Sequence, residues 1–252
     1  MINKEEIVSL ARAYGIKPWQ EEKKYVHALL LNELADYPVV FKGGTYLWLL
    51  HGLRRFSEDL DFTAAESLPS GLPEKVSRAL AGFGVNNKVS IEANNQFTLS
   101  FRVGATGPLH TSDVNKCFVY VEISKREKVL LKPTATKLEF PRFETPTKVI
   151  RGMDLSEVAA EKVRAILTRD KARDLYDLYF LATAKGISFD ETLVNEKLKH
   201  YGLKFSGDSF SKSVDKKKNR FVGELKQLVF GELPPFKECA EVINQWASTK
   251  TD

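Results

Sequence analysis

The chain has 252 residues, of which 43% are hydrophobic and 28% charged, and its formal net charge is +5. That length suits one domain with a helical extension or two small domains sharing an interface, and the basic balance favours an anionic partner. Cys117 and Cys239 lie far apart without metal-ligand spacing, which argues against a disulfide scaffold or a zinc site. No apolar run is long enough to cross a bilayer, and the opening Met1-Ile2-Asn3-Lys4-Glu5-Glu6 turns polar at once, so the expected location is the cytoplasm with no membrane partner.

Residues 3–14 carry a capped amphipathic pattern that Gly15 ends, and residues 18–36 read as a longer helix with Tyr25, Leu29, Leu30 and Leu34 as its apolar stripe. Val39-Val40-Phe41 is a short buried-strand signal. Gly43-Gly44 then lets the backbone turn sharply and come close to a ligand. Thr45 is placed to cap a helix reaching His51, with Gly52 as its stop. A helix start beside two glycines gathers N–H groups and positive dipole, which favours a phosphate. Residues 56–62 alternate as a strand, so Asp59 and Asp61 project from one face. Paired carboxylates hold hard cations through oxygen, the usual way Mg²⁺ is shared with substrate phosphates.

Residues 72–83 form a helix signal, and strand signals follow at 88–92, 97–103, 118–124 and 137–140. On the third of these, Glu122 shares a face with Phe118 and Tyr120, where a carboxylate is costly to bury unless paired or metal-bound. Residues 155–185 are strongly helical, as one bent helix or two consecutive ones. A continuous helix would place Lys162, Ile166, Arg169, Arg173 and Asp177 on one face. A further helix is expected at 190–200. The stretch 205–220 reads as a polar connection whose Lys216-Lys217-Lys218-Asn219-Arg220 run is a candidate for RNA phosphates. Closing helices are expected at 221–230 and 236–246. The coarse division is 1–150 for an α/β core with N-terminal helices and 151–252 for a mainly helical region.

The run Gly43-Gly44-Thr45, followed by Arg55-Phe56-Ser57-Glu58-Asp59-Leu60-Asp61, resembles the signature of the AbiEii/AbiGii-type (MenT-like) nucleotidyltransferase toxins. These are a branch of the polymerase-beta-like nucleotidyltransferase superfamily. The resemblance extends to Glu122-Ile123-Ser124 and to Lys162 followed by Arg169-x-x-x-Arg173-Asp174-x-x-Asp177. It implies an α/β (α+β) fold: a polymerase-beta-like nucleotidyltransferase core with a mixed sheet flanked by helices, plus a C-terminal helical region completing the active site. By the same resemblance Asp59, Asp61 and Glu122 would hold two Mg²⁺ ions, with Mn²⁺ as the alternative metal. Lys42, Gly43, Gly44, Thr45, Arg55 and Ser57 would bind the nucleotide. Lys162 would contact the triphosphate, Arg169 and Arg173 would support it, and either Asp177, which shares the Lys162 face, or Asp174 would be the functional acid.

The function that the resemblance implies is transfer of NMP from an NTP to RNA, with the tRNA 3′ end as acceptor and a cognate antitoxin as partner. The alternatives are a protein acceptor or γ-phosphoryl transfer on the same fold, and a non-catalytic nucleotide- or partner-binding module.

Overall fold

The computed structural model describes residues 2–249. The first helix, α1 (Lys4–Tyr14), is closed by a capping box. Its Asn3 side chain accepts from the Glu6 N–H at 3.0 Å, and the Glu6 carboxylate accepts from the Asn3 N–H at 2.7 Å. Gly15, left-handed at φ 64°, ends it. Next come α2 (Pro18–Leu34), β1 (Val39–Lys42), α3 (Gly43–His51), β2 (Leu60–Ala64) and α4 (Leu72–Gly82). The strands β3 (Asn87–Asn94), β4 (Thr98–Ala105), β5 (Cys117–Ser124), β6 (Thr134–Leu138) and β7 (Lys148–Gly152) follow. The remainder is helical: α5 (Leu155–Thr168), α6 (Ala172–Thr183), α7 (Glu191–Lys199), α8 (Gly207–Asp215), α9 (Lys218–Leu225) and α10 (Phe236–Trp246).

The chain divides into two compact units. The first takes the residues up to Tyr46, Ser57–Val129 and Pro133–Gly152; the second takes Leu47–Phe56, Leu130–Lys132 and the chain from Met153 onward. Most of α3, Leu47–His51, therefore belongs to the helical unit, while its start, Gly43–Tyr46, and the segment Ser57–Asp61 belong to the sheet unit.

In the first unit the seven strands form one mixed sheet in the order β3-β4-β5-β2-β1-β7-β6. The β2–β5 and β1–β7 pairs are parallel and the others antiparallel. Along β5, Cys117, Val119, Val121 and Ile123 are buried while Phe118, Tyr120 and Glu122 are exposed, so the sheet has one covered face and one open face there. Helix α2 packs on β5 and α4 on β3. In the second unit α5 packs with α6, α7 and α8, and α10 packs with α6, α8 and α9.

Three sequence expectations are corrected and one open alternative is decided. The strand expected from Phe56 begins only at Leu60, because Phe56 donates its N–H to the Leu228 carbonyl at 2.8 Å and Arg55 bridges to Val229. Of the two forms expected for residues 155–185, the structure has two consecutive helices, broken where Arg169 turns extended at φ −144°, ψ 157°. The expected connection at 205–220 is helical, since Phe210, Val214, Phe221 and Leu225 recur at helical spacing and are all buried. The edge pair β6–β7 includes a strand, Lys148–Gly152, that its mixed composition hid.

Candidate active site

Register places the acidic residues. Lys42 on β1 pairs with Asp61 on β2, Asp61 with Glu122 on β5, and Glu122 with Ser100 on β4. Directly opposed residues point to the same face of a sheet, so Lys42, Asp61, Glu122 and Ser100 form one row. Asp61 is half-buried and Glu122 exposed. Asp59, also half-buried, lies one residue before β2.

The turn that carries Asp59 is fixed from two sides within the sheet unit. The fully buried Thr45 donates its hydroxyl to the Asp59 carbonyl at 2.5 Å. His27, likewise fully buried, makes a 2.8 Å bond from Nε2 to the Glu58 carbonyl. Burial drives the His27 imidazole down to about 3, so the ring is neutral, and its proton sits on Nε2 because a carbonyl can only accept. Thr45 is thus no helix cap. The helix starts two residues earlier, at Gly43, and the Thr45 hydroxyl holds the neighbouring turn.

Gly43 is required twice. Its φ of +78° is left-handed, and a Cβ added there would sit 2.5 Å from Asp61 Oδ2. The Gly-Gly turn is therefore seated on the Asp61 carboxylate, which ties the two halves of the motif together physically. Gly44 follows in the first turn of α3, and Ser57 is half-buried where the chain re-enters the sheet unit. Lys42, almost buried, places its ammonium 3.2 Å from Glu127 in the segment after β5.

Among the described residues no three His, Cys, Asp or Glu side chains are gathered as a metal cage. Mg²⁺ commonly uses one or two protein carboxylates and completes its shell with water and substrate phosphates. Asp61 and Glu122, adjacent in register and reached by solvent, are hard-oxygen donors of that kind, so the donor set fits.

The second unit holds the other predicted residues in a different state. Arg55, 2% exposed, donates Nε to Asp177 Oδ1 at 2.6 Å and Nη2 to Asp177 Oδ2 at 2.7 Å. Its Nη1 donates to the Phe56 carbonyl. Lys162 lies 2.6 Å from Asp177 and 3.0 Å from Asp174. Arg169 closes the chain with a bidentate grip on Asp174 at 2.7 and 2.8 Å. Burial alone would raise both aspartates, but Lys162 and Arg169 hold Asp174, and Arg55 and Lys162 hold Asp177, below their ordinary values. The structure brings together Arg55, Lys162, Arg169, Asp174 and Asp177; Arg173 remains half-buried on α6 outside this network. The bonds of this network span up to 122 positions of the chain. In the lysine run, Lys217 is buried and donates to the Arg169 carbonyl at 2.6 Å, and Arg220 pairs with Asp170, so these two fasten the α5–α6 break.

Two acidic residues escaped the sequence reading. Glu127 is the partner of Lys42. Glu157, fully buried, accepts from the Leu130 and Leu131 N–H groups and from Lys197 Nζ at 2.5 Å. Neither leaves a periodic signal, since each partner lies far along the chain or in an irregular segment.

Comparison with known proteins identifies the family and the fold. The family described as "Nucleotidyl transferase AbiEii toxin, Type IV TA system" matches residues 27–242. No curated protein matches the chain. Among solved structures it is similar to JHP933 of Helicobacter pylori, with 25% identity, a TM-score of 0.62 and coverage of 92% of this chain and 90% of that one. A putative nucleotidyltransferase from H. pylori aligns at 25% identity and a TM-score of 0.60, covering 89% and 91%. The nucleotidyltransferase toxin MenT4 of Mycobacterium tuberculosis H37Rv shares the fold at a TM-score of 0.67 and 18% identity, covering 98% and 89%. The mixed sheet with its flanking helices is the fold of nucleotidyltransferase toxin structures. The chain belongs to the AbiEii family of nucleotidyltransferase toxins of type IV toxin–antitoxin systems. No helix among the described residues is long and apolar enough to cross a membrane.

Proposed function

We propose that this toxin transfers NMP from an NTP to RNA, with the tRNA 3′ end as acceptor, in a reaction dependent on Mg²⁺, and that a cognate antitoxin restrains it in the cytoplasm. The observation that carries the reading is the seating of Gly43 on Asp61, with Glu122 beside it in register. A divalent cation held by Asp61 and Glu122, with Asp59 one residue before β2 as the further expected ligand, would supply Lewis acidity toward phosphoryl and acceptor oxygens.

The chain's own part is positioning and charge. Gly43 and Gly44 present main-chain N–H groups to phosphate at the start of α3, and Ser57 lies where the motif returns to the sheet. Lys42 adds positive charge once a phosphate draws it from Glu127. Thr45 and His27 act through the Asp59 turn that they fix. In the second unit we assign Arg55, Lys162, Asp174 and Asp177 a positioning role, supported by their burial and mutual pairing. Arg169 and Arg173, nearer the surface, keep the assignment as supports for the nucleotide.

The test is incubation of the protein with Mg²⁺, total tRNA and each α-³²P-labelled NTP, with Asp59→Ala/Asp61→Ala as control. RNA labelled only by the wild type is the expected result and names the nucleotide. Label retained from γ-phosphate alone would instead make the protein a kinase.

A further inference from the structure

The open face that carries Asp61 and Glu122 continues beyond the carboxylates. Along β5 the outward positions before Glu122 are Tyr120 and Phe118, 45% and 37% exposed. The open face of an antiparallel pair ordinarily carries polar side chains, so two large rings in succession are out of place as sheet residues. On β4, Arg102 pairs in register with Tyr120. Its guanidinium lies 5.2 Å from the centre of the Phe118 ring and 5.8 Å from that of Tyr120. Gly104, in register with Phe118, leaves the room the ring occupies: a Cβ there would come within 2.9 Å of Phe118 Cε1. Arg102 also lies 3.7 Å from Glu92, but both are well exposed and solvent screens the pair.

Exposed rings interleaved with a guanidinium are the surface on which unpaired bases stack while a cation meets their phosphates. Successive outward residues on a strand are about 7 Å apart, so Tyr120 stands one step from Glu122 and Phe118 two. We propose that Phe118, Tyr120 and Arg102 form a stacking platform for single-stranded RNA that leads its end to the Asp61–Glu122 row. The delivery of that end rests on the transfer reading above; the binding does not. A protein partner would use the same rings without needing their register with the carboxylates, and the chain's net charge of +5 suits the polyanion.

The experiment measures binding to a chain carrying Asp61→Asn, so that no substrate is consumed. The probes are a fluorescein-labelled RNA hairpin with a short single-stranded 3′ tail and the same hairpin with a blunt end, read by anisotropy. Phe118→Ala and Tyr120→Ala should each weaken binding of the tailed hairpin roughly tenfold and leave the blunt hairpin unchanged. Phe118→Tyr and Tyr120→Phe, which keep a ring, should retain tail binding, and matching circular dichroism and melting would show that the alanine variants fold. Unchanged affinity for the tail in the double alanine variant would overturn the platform. So would an equal loss of NTP binding, or loss of antitoxin capture with RNA binding intact, which would make the face a protein interface. Ring-dependent binding of the tail by a protein that labels no RNA from any NTP would remove the transfer reading and leave the platform standing.

Discussion

The molecule holds two pairs of acidic residues in opposite conditions. On the sheet, Asp61 and Glu122 stand side by side in register, half-buried and exposed, beside a glycine turn. In the helical unit, Asp174 and Asp177 are fully buried and each is gripped by two cations. A carboxylate with solvent access and no dedicated cation is available to a metal or a phosphate-bound ion. A carboxylate inside an alternating chain of charges is already neutralised, and its removal strands the cations around it. The resemblance places both pairs among the functional acids; the difference in burial is the ground on which we propose chemistry for the first pair and positioning for the second.

The comparison is broken most directly by exchanging the two losses. Asp61→Asn should lower nucleotidyl transfer by roughly 10³-fold, the several kcal/mol that charge stabilisation at phosphorus supplies. Stability should shift by less than about 0.5 kcal/mol, because the site is partly solvated. Asp177→Ala should do the reverse. It leaves Arg55 and Lys162 buried without their partner, at a cost of about 3–5 kcal/mol in urea unfolding. Residual folded protein should still transfer nucleotide. An Asp177→Ala protein of unchanged stability that transfers nothing would return Asp177 to the chemistry and dissolve the distinction.

Acid sharpens the same contrast. The folded-state values of Asp174 and Asp177 are depressed, so their contribution is present above the unfolded carboxylate range, near about 3.9, and is lost as pH falls below it. The buried histidines act earlier. Burial lowers His27 to about 3 and, with Lys185 adding to the effect, His51 to about 4. Each must stay neutral in the fold, while the unfolded chain takes up the proton near about 6.5. Their contribution is therefore complete above that pH and declines as pH falls toward the folded values. The two rings should lower unfolding free energy as pH falls from about 6.5 to about 4.5, against the opposing proton uptake of the buried Glu21 and Glu22, and His27→Gln should reduce the slope by about one proton. A slope that His27→Gln leaves unchanged would show that this imidazole is protonated in the native state.

Much of this was legible in the sequence, for a physical reason. Asn3, Glu6 and Gly15 cap α1 through neighbours three or four residues away, and Gly43, Asp59 and Asp61 lie within a single turn–helix–strand unit. Local contacts leave local patterns. The Arg55–Asp177 bond joins residues 122 positions apart, and nothing in the spacing of Arg169, Arg173 and Asp177 says that the helix breaks between the first two. One member of the lysine run has a structural role that was hidden for a related reason. Lys217 is buried by its bond to the Arg169 carbonyl, a partner that composition cannot reveal. Glu122 was read correctly as sharing a face with Phe118 and Tyr120, because alternation alone fixes that, but its register with Asp61 required the sheet.

The smallest effect separates the glycines at the two ends of α3. Both are left-handed, Gly43 at φ +78° and Gly52 at φ +81°, so alanine at either carries a backbone cost of about 1–2 kcal/mol. Their surroundings differ. Nothing lies within 4 Å of a Cβ added at Gly52, whereas one at Gly43 would meet Asp61 Oδ2 at 2.5 Å. Gly52→Ala should therefore lower stability by that backbone cost and leave kcat and KM unchanged. Gly43→Ala carries the same cost and also pushes the Asp61 carboxylate away, and a displacement of about 1 Å at a reacting centre is worth roughly 10²-fold in rate. Measured side by side in transfer and in urea unfolding, the two variants should match closely in stability and diverge in activity. Equal activity in both would mean that Asp61 tolerates displacement and that the glycine turn does not set its position.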